Sequence, residues 1–488
     1  MSMGLLTSSE WLPELTPTTL AFIRIAYALL MLGTLLRALP YARLFFLSER
    51  WGGYAKSSPG VDYVQNPVAL PWVMGAWFAS LFLLAFGVQT VAAALVNLVL
   101  CHYFFVWMRW RGVLRGMGAP GFMSYWLSLA IFLLELTTQV APRYRPLALL
   151  LTQVDYALIM VSAGLYKMTA GYARNHGMEL GMVNPEWGYW HRFWRRWRPS
   201  HPLFQILNQS AWSLEVIAGM LMLIPSTRFI GGILMIASFV FIATQIRLCL
   251  LCEMVIVGGL LFAGPGTVAS ELIDLVAWPT TATVVALPAA LEITIGAAMA
   301  TYLVLLPVAH GGLFWNFYTG KRLAAPFQQV LETYTNAFGI IIWRVFSADH
   351  TNFYPLVYRQ KKDGSERVQI SHYDQIGGRF THVGECIALT SLFTTLKYYP
   401  SDNALFRERL FRYARTLPRA DDEVLIFEYV SIRKVDDAFV EVVVAEFEVD
   451  LDANTLIEMP IEDDLEYVRK AAPGSPVRAG TKPGSYAA

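Results

Sequence analysis

Long apolar runs, each of about twenty residues and separated by short polar stretches, fill the first 320 positions of the chain. Crossing a hydrocarbon layer as a helix takes about 20 predominantly apolar residues. By that measure, spans fall near 18–37, 69–87, 89–108, 121–140, 147–167, 210–226, 229–246, 248–264 and 283–307. The expected fold is therefore a polytopic α-helical membrane protein of about nine spans. Very short connections around Gly87 and Arg247 predict tight helical hairpins. The stretch 267–278 is too short and too acidic to span, and suits an interface. Membrane lipids are the expected surroundings, and 15 Trp with 23 Tyr suit the bilayer boundary. The N-terminal residues carry neither a basic leader nor a small-residue cleavage site, so the first span is expected to insert the chain itself.

Composition changes near Lys321, beyond which charges cluster, as in RQKKDGSER at 359–367. A helix over 323–338 is predicted, followed by a small soluble α+β domain to about residue 470 and a tail (471–488) of linker composition. Within that domain, PLVYR and RVQIS flank Lys362-Asp363-Gly364, a hairpin signal. Helices are expected at 383–398 and 402–416, the second capped by Ser401 or Asp402. Two further strands meet at Asp436-Asp437, so the sheet reads as largely antiparallel.

The net charge of +1 gives no global field to attract nucleic acid. The basic–aromatic run WGYWHRFWRRWR (187–198) reads as an interfacial anchor, with a lid over a membrane-level cavity as the alternative, and not as a nucleic-acid platform. Basic residues gather on one face: Arg37, Arg43, Arg50 and Lys56, then Arg109, Arg111 and Arg115, then Arg174, Arg192, Arg195, Arg196 and Arg198. With nine spans the C-terminal domain shares that face. Positive-inside reasoning makes the face cytoplasmic, in what reads as a bacterial inner membrane.

A charge inside a bilayer costs at least roughly 2.5–3.5 kcal/mol by insertion scales, so each one asks for a reason. Arg24, Glu135, Asp155, Lys167 and Glu215 stand out. Asp155 and Glu135 are flanked by apolar sequence on both sides and are expected to pair with Arg24 or Lys167. In QVDYALIMVSAGLYKM (153–168), helical spacing puts Asp155, Ser162 and Tyr166 on one face. Lys167 projects elsewhere, with Gly164 and Gly171 leaving room for a helix or a ligand. An amine sealed in a dry pocket favours its neutral form and can accept a proton. Cys249 and Cys252 form a C-x-x-C that could be a redox dithiol or simply two small packing residues; no Pro or helix N-terminus is evident to activate either thiol. The eight histidines show neither an i,i+4 pair nor H-E-x-x-H, so no metal site is expected.

VSAGLYKM (161–168) resembles the Y-F-x-A-G-x-x-K-L signature of the horizontally transferred transmembrane (HTTM) superfamily, the membrane domains related to vitamin K-dependent γ-glutamyl carboxylase. FIRIAYALL (22–30), Ser213-Leu214-Glu215, RLCLLCEMVIVGGLLF (247–262) and IIWRVFSADHTNFYP (341–355) are similar to its other conserved stretches. The resemblance covers about residues 15–355. It implies that Lys167 is a base toward a reduced, vitamin K-like quinone; Arg24, Glu135, Asp155, Tyr166 and Glu215 are binding or ion-pair candidates from their place in the spans. There are departures: Tyr166 stands where the carboxylases have a second lysine, Met168 replaces Leu, and Thr244-Gln245 stands where many relatives show a histidine. The C-terminal module is also far smaller than the carboxylase substrate domain. The two expectations from sequence are a lysine-base enzyme acting on a quinol-like or lipophilic substrate, and a non-catalytic component that anchors, assembles or exports a protein partner through its C-terminal domain.

Overall fold

The computed structural model describes residues 12–57, 59–107, 118–276, 287–343, 351–371, 383–398 and 402–459. Among them, eight helices are long and apolar enough to cross a membrane. We label the principal helices α1 (Pro17–Ala38), α2 (Ala69–Phe86), α3 (Thr90–Cys101), α4 (Gly118–Gln139), α5 (Arg145–Thr169), α6 (Pro202–Leu223), α7 (Arg228–Gln245), α8 (Leu251–Gly259) and α9 (Ala289–Thr319). α1 starts where Thr16 Oγ1 accepts from the Thr19 N–H at 3.0 Å and a proline fills the first turn. α2 stops at Gly87, whose φ of 73° reverses the chain into α3. That turn matches the tight hairpin expected there.

The second expected hairpin forms, with Gly232 against Gly259 and Phe262, but its connection is the non-helical stretch 246–250. Around Arg247 the chain leaves the helix, Ile246 bridges to Gly188, and the Arg247 N–H donates to the Trp187 carbonyl at 2.7 Å. Helix resumes only at Leu251 and closes with a 3₁₀ turn at Leu260–Phe262, so the expected span 248–264 is not a full-length helix. Competition from the 185–189 backbone explains the difference, since it takes hydrogen bonds that a continuous helix would have used.

The short helix nevertheless completes a passage. Ile246 lies beside Gly188, whereas the Leu261 carbonyl accepts from Gln153 Nε2 at 2.7 Å, low on α5. α9 then runs alongside α5 in the same direction: Tyr144 faces Gly296, Asp155 lies near His310, and Tyr166 meets the Phe317 ring at 5.6 Å. Among the described residues the chain thus passes the bundle nine times, eight of them as long apolar helices, and residues 12–16 end opposite the C-terminal sheet. α6 begins eight residues before the expected start, at Pro202, and α9 continues twelve residues beyond the expected end at Pro307. The stretch after Gly266 holds only the short helix Val268–Asp274, capped by Thr267.

Beyond α9, α10 (Ala325–Phe338) folds back against the bundle, with Leu331 on Gly312 and Phe338 on Tyr302. The sheet domain follows: β1 (Phe353–Lys361), β2 (Val368–Gln369), α11 (Val383–Tyr398), α12 (Asn403–Ala414), β3 (Glu423–Val435), β4 (Ala438–Asp450) and β5 (Thr455–Met459). Strand order is β2-β1-β3-β4-β5 and every pairing is antiparallel. Both hairpins fall at the expected turns. Asp436 and Asp437 take φ of 48° and 57°, the left-handed pair a two-residue hairpin turn requires. Asp402 caps α12. Phe393 stacks on Tyr429, and Phe406 packs on Phe447, joining the helices to one face of the sheet. The tail 471–488, Arg109, Arg111, Arg115 and Ser401 lie outside the described residues.

This domain sits directly on the bundle, and one hydrophobic core runs through both. It contacts the 41–56 stretch, where Tyr54 packs on Tyr413 and Lys56 pairs with Glu408 at 3.1 Å, and the 170–204 connection. Ser200 donates from N and Oγ to Asp437 at 3.0 and 2.7 Å. Lys434 reaches the fully buried Glu179 at 2.5 Å, Arg195 pairs with Glu441, and Asn184 donates to the carbonyls of Thr351 and Phe353. The basic–aromatic run is therefore partly a docking surface for the sheet. Trp190 (57% exposed) and Phe193 (47%) point outward as an anchor would.

Candidate functional site

The charged residues singled out from sequence form separate clusters inside the bundle. Near the end that holds residues 12–16, Arg24 of α1 pairs with Glu135 of α4 at 3.2 Å. Thr90 and Gln139 donate to the other Glu135 oxygen, Gln139 at 3.1 Å. Both carboxylate oxygens are satisfied, as a buried structural charge needs.

Lys167 pairs with Glu215 of α6, and not with Asp155 or Glu135. The two lie 48 positions apart in sequence, brought together by close helix contact. A Cβ on Gly164 would stand 2.6 Å from the Trp212 carbonyl, and one on Gly219 would stand 2.9 Å from the Ala157 carbonyl. Small residues on α5 and α6 thus let the two backbones approach, as in packed membrane helices. Gly171 has φ of +121° and turns against the His176 carbonyl. Room on the glycine sides of Lys167 is taken by protein. The pair itself is under-used. Among the described residues Glu215 Oε2 has no hydrogen-bond partner, and Lys167 makes one bond of the three an ammonium can donate. Lys167 is 4% exposed and Glu215 1%.

Asp155 lies about 18 Å from Lys167 along α5, twelve residues at 1.5 Å each. Its Oδ2 accepts from Trp126 Nε1 at 3.0 Å, and its Oδ1 stands 3.9 Å from His310 Nε2. The two groups border a small cavity walled by Phe122, Tyr125 and Trp126 of α4 and by Phe338 to Ile341. His310 carries no motif that marks it in the sequence. Its only signal is an imidazole in an apolar stretch, beyond a span end set at Pro307. Tyr166 faces α9 through Phe317 and does not reach this cavity.

Cys249 and Cys252 are buried and not bonded to each other. Cys249 takes φ of 54° just ahead of α8, and Cys252 lies in its first turn. A helix N-terminus does therefore adjoin the pair, contrary to the sequence-based expectation. Among the described residues no group of three or more His, Cys, Asp or Glu is arranged to hold a metal.

Comparison of the chain with protein families, with curated proteins and with solved structures returns no match. The geometry must carry the functional reading.

A further buried cluster joins bundle and sheet domain. Glu186 accepts from Thr390 Oγ1 of α11 at 2.9 Å and Cys386 Sγ donates to the Glu186 carbonyl. Burial pushes the Glu186 carboxyl well above the ordinary carboxylate range, with the Thr390 bond opposing. Burial likewise raises the Cys386 thiol, followed by the nearby Glu186 and Glu385, so this cysteine is not activated.

Proposed function

We propose that the protein is an integral membrane enzyme of the proton-transfer class, with Lys167 as the base, Glu215 as its partner, and a lipophilic weak acid as substrate. The observation that carries this reading is the unused bonding capacity of the Lys167–Glu215 pair inside an apolar bundle. An ionisable pair at such depth is costly, and one left incompletely bonded can take a further polar group. The resemblance to the carboxylase-related superfamily supports the same lysine. The fit to its quinone is poorer: the space offered by Gly164 and Gly171 is occupied by α6 and by the His176 turn, so no step is derived through a quinol. The step starts from the neutral Lys167 amine: a hydroxyl or similar group passes its proton to that nitrogen, and Glu215 stabilises the ammonium that results. The eight apolar helices support insertion in a membrane. The basic face and the sheet domain lie at one end, which supports a cytoplasmic domain, although Arg195 is engaged in docking and adds less to that count.

The full-length protein purified in lipid nanodiscs tests this. Mass spectrometry of its lipid extract should find a co-purifying quinone or other lipophilic weak acid, reduced at least about tenfold in Lys167→Met and Glu215→Gln. In cells that need the protein, both variants should lose function at normal abundance. Function that falls only in step with abundance would sink the enzyme reading.

A second reading, that of a non-catalytic component acting through its C-terminal domain, is favoured by how rigidly the sheet is seated on the 170–204 connection. Deleting 321–488 distinguishes it: an anchoring role predicts loss of partner capture while any co-purifying ligand is retained.

A further inference from the structure

We infer that Asp155 and His310 form a second, separate site, occupied by one water molecule that lets the two side chains exchange a proton. His310 is 3% exposed, and among the described residues neither ring nitrogen has a hydrogen-bond partner. An imidazole always carries at least one N–H or an accepting nitrogen that needs a partner, and burial makes leaving it alone costly. Asp155 Oδ1 is 3.9 Å from Nε2, beyond direct hydrogen-bond reach. Polar groups held at such a separation are commonly joined by water. Asp155 is held in place from its other side by Trp126, which leaves Oδ1 to face the histidine. The cavity between them has room for about one water and has polar groups on two sides, the conditions for a dry-looking void to be wet.

Among the described residues no lysine or arginine lines this cavity. Tyr125 from α4, Tyr302 from α9 and Tyr334 from α10 are close enough to feel the Asp155 charge, and Tyr125 lines the cavity. The exchange balances simply. One proton leaves a protonated His310 nitrogen for the water oxygen while one water proton passes to Asp155 Oδ1, and water is regenerated. α10 and the turn at Gly339 close the site: Tyr125 donates to the Phe338 carbonyl at 3.1 Å, and His102 meets the Ala337 carbonyl at 2.7 Å. About 18 Å of helix separates this pair from Lys167, so it stands independently of the lysine.

Infrared difference spectra of the full-length protein in nanodiscs, recorded across a pH titration in ordinary and ¹⁸O water, test the assignment. We expect a carboxyl band that vanishes in Asp155→Asn and shifts in His310→Gln. We also expect a water band that moves with ¹⁸O and is lost in both variants. A carboxyl band indifferent to His310→Gln, or no ¹⁸O-sensitive band tied to these residues, overturns the proposal. If His310→Gln does not fold, Trp126→Phe gives the same reading from the other side: the carboxyl band must shift while the ¹⁸O-sensitive band persists, and its loss of that sensitivity overturns the site.

Discussion

Two ion pairs in one bundle have been built to different standards. Arg24–Glu135 ties α1 to α4, and both oxygens of its carboxylate are bonded, with Thr90 and Gln139 completing the set. Lys167–Glu215 ties α5 to α6 with a single bond and leaves Glu215 Oε2 alone. A charge buried for structure alone is expected to be fully bonded, because any shortfall is a direct loss of stability. The contrast lies in the carboxylates: that of Glu135 is bonded at both oxygens and that of Glu215 is not, whereas Arg24 Nε also lacks a partner among the described residues.

That contrast can be broken by substitution. Arg24→Met strands the Glu135 carboxylate and should cost about 3–5 kcal/mol, the usual penalty for removing one partner of a buried pair. Unfolding of the purified protein followed by tryptophan fluorescence would show it as a large fall in midpoint, and an unchanged midpoint would refute the structural role. At the other pair, Lys167→Met with Glu215→Leu removes both charges and should stabilise by about 1–4 kcal/mol, since apolar replacements often outperform a buried ion pair. The same double change at Arg24 and Glu135 should gain nothing, because Thr90 and Gln139 lose their acceptor. Equal outcomes at the two sites would erase the distinction drawn between them.

The close helix contact behind Lys167 gives a smaller effect. Gly164→Ala forces a methyl group toward the Trp212 carbonyl and should cost about 1–3 kcal/mol. Gly75→Ala meets nothing within 4 Å and should gain up to about 1 kcal/mol from helix propensity. The Glu186 cluster offers the mildest test. Its carboxyl is raised by burial, so the neutral form suits the folded state. The stability it contributes is therefore complete below the ordinary carboxyl value and is lost as pH rises through the raised one. Melting midpoints measured against pH should decline over that window, and Glu186→Gln should flatten the decline.

How much of this was legible in the sequence depended on whether a signal is local. Turn chemistry is: Lys362-Asp363-Gly364 and Asp436-Asp437 each announce a reversal in adjacent residues, and both turns formed. Asp402 capped its helix for the same reason. Apolar length is also local, and eight of the nine expected spans were recovered as long apolar helices. Pairing across the bundle is not. Nothing near Lys167 names Glu215 as its partner, and the glycines that look like ligand room prove to be contact points, Gly164 for α6 and Gly171 for the His176 turn. His310 escaped notice because the last span was ended at Pro307. A proline interrupts a soluble helix, yet within a packed apolar bundle neighbours can make good the missing bond. α9 runs on past it and carries the histidine to Asp155. Around Arg247 the hairpin of two helices formed, but the 185–189 backbone took hydrogen bonds from its connection and the second helix is short.

The seating of the β3–β4 hairpin has a consequence in time. A ribosome completes the 170–204 connection more than two hundred residues before it reaches Lys434 and Asp437. Until then Glu179, fully enclosed in the finished protein, lacks its lysine, and Ser200 lacks its acceptor. The bundle is thus assembled with an open socket that only the end of the chain can fill. A chain cut short before residue 434 would display that socket, giving the cell a simple way to tell finished molecules from unfinished ones.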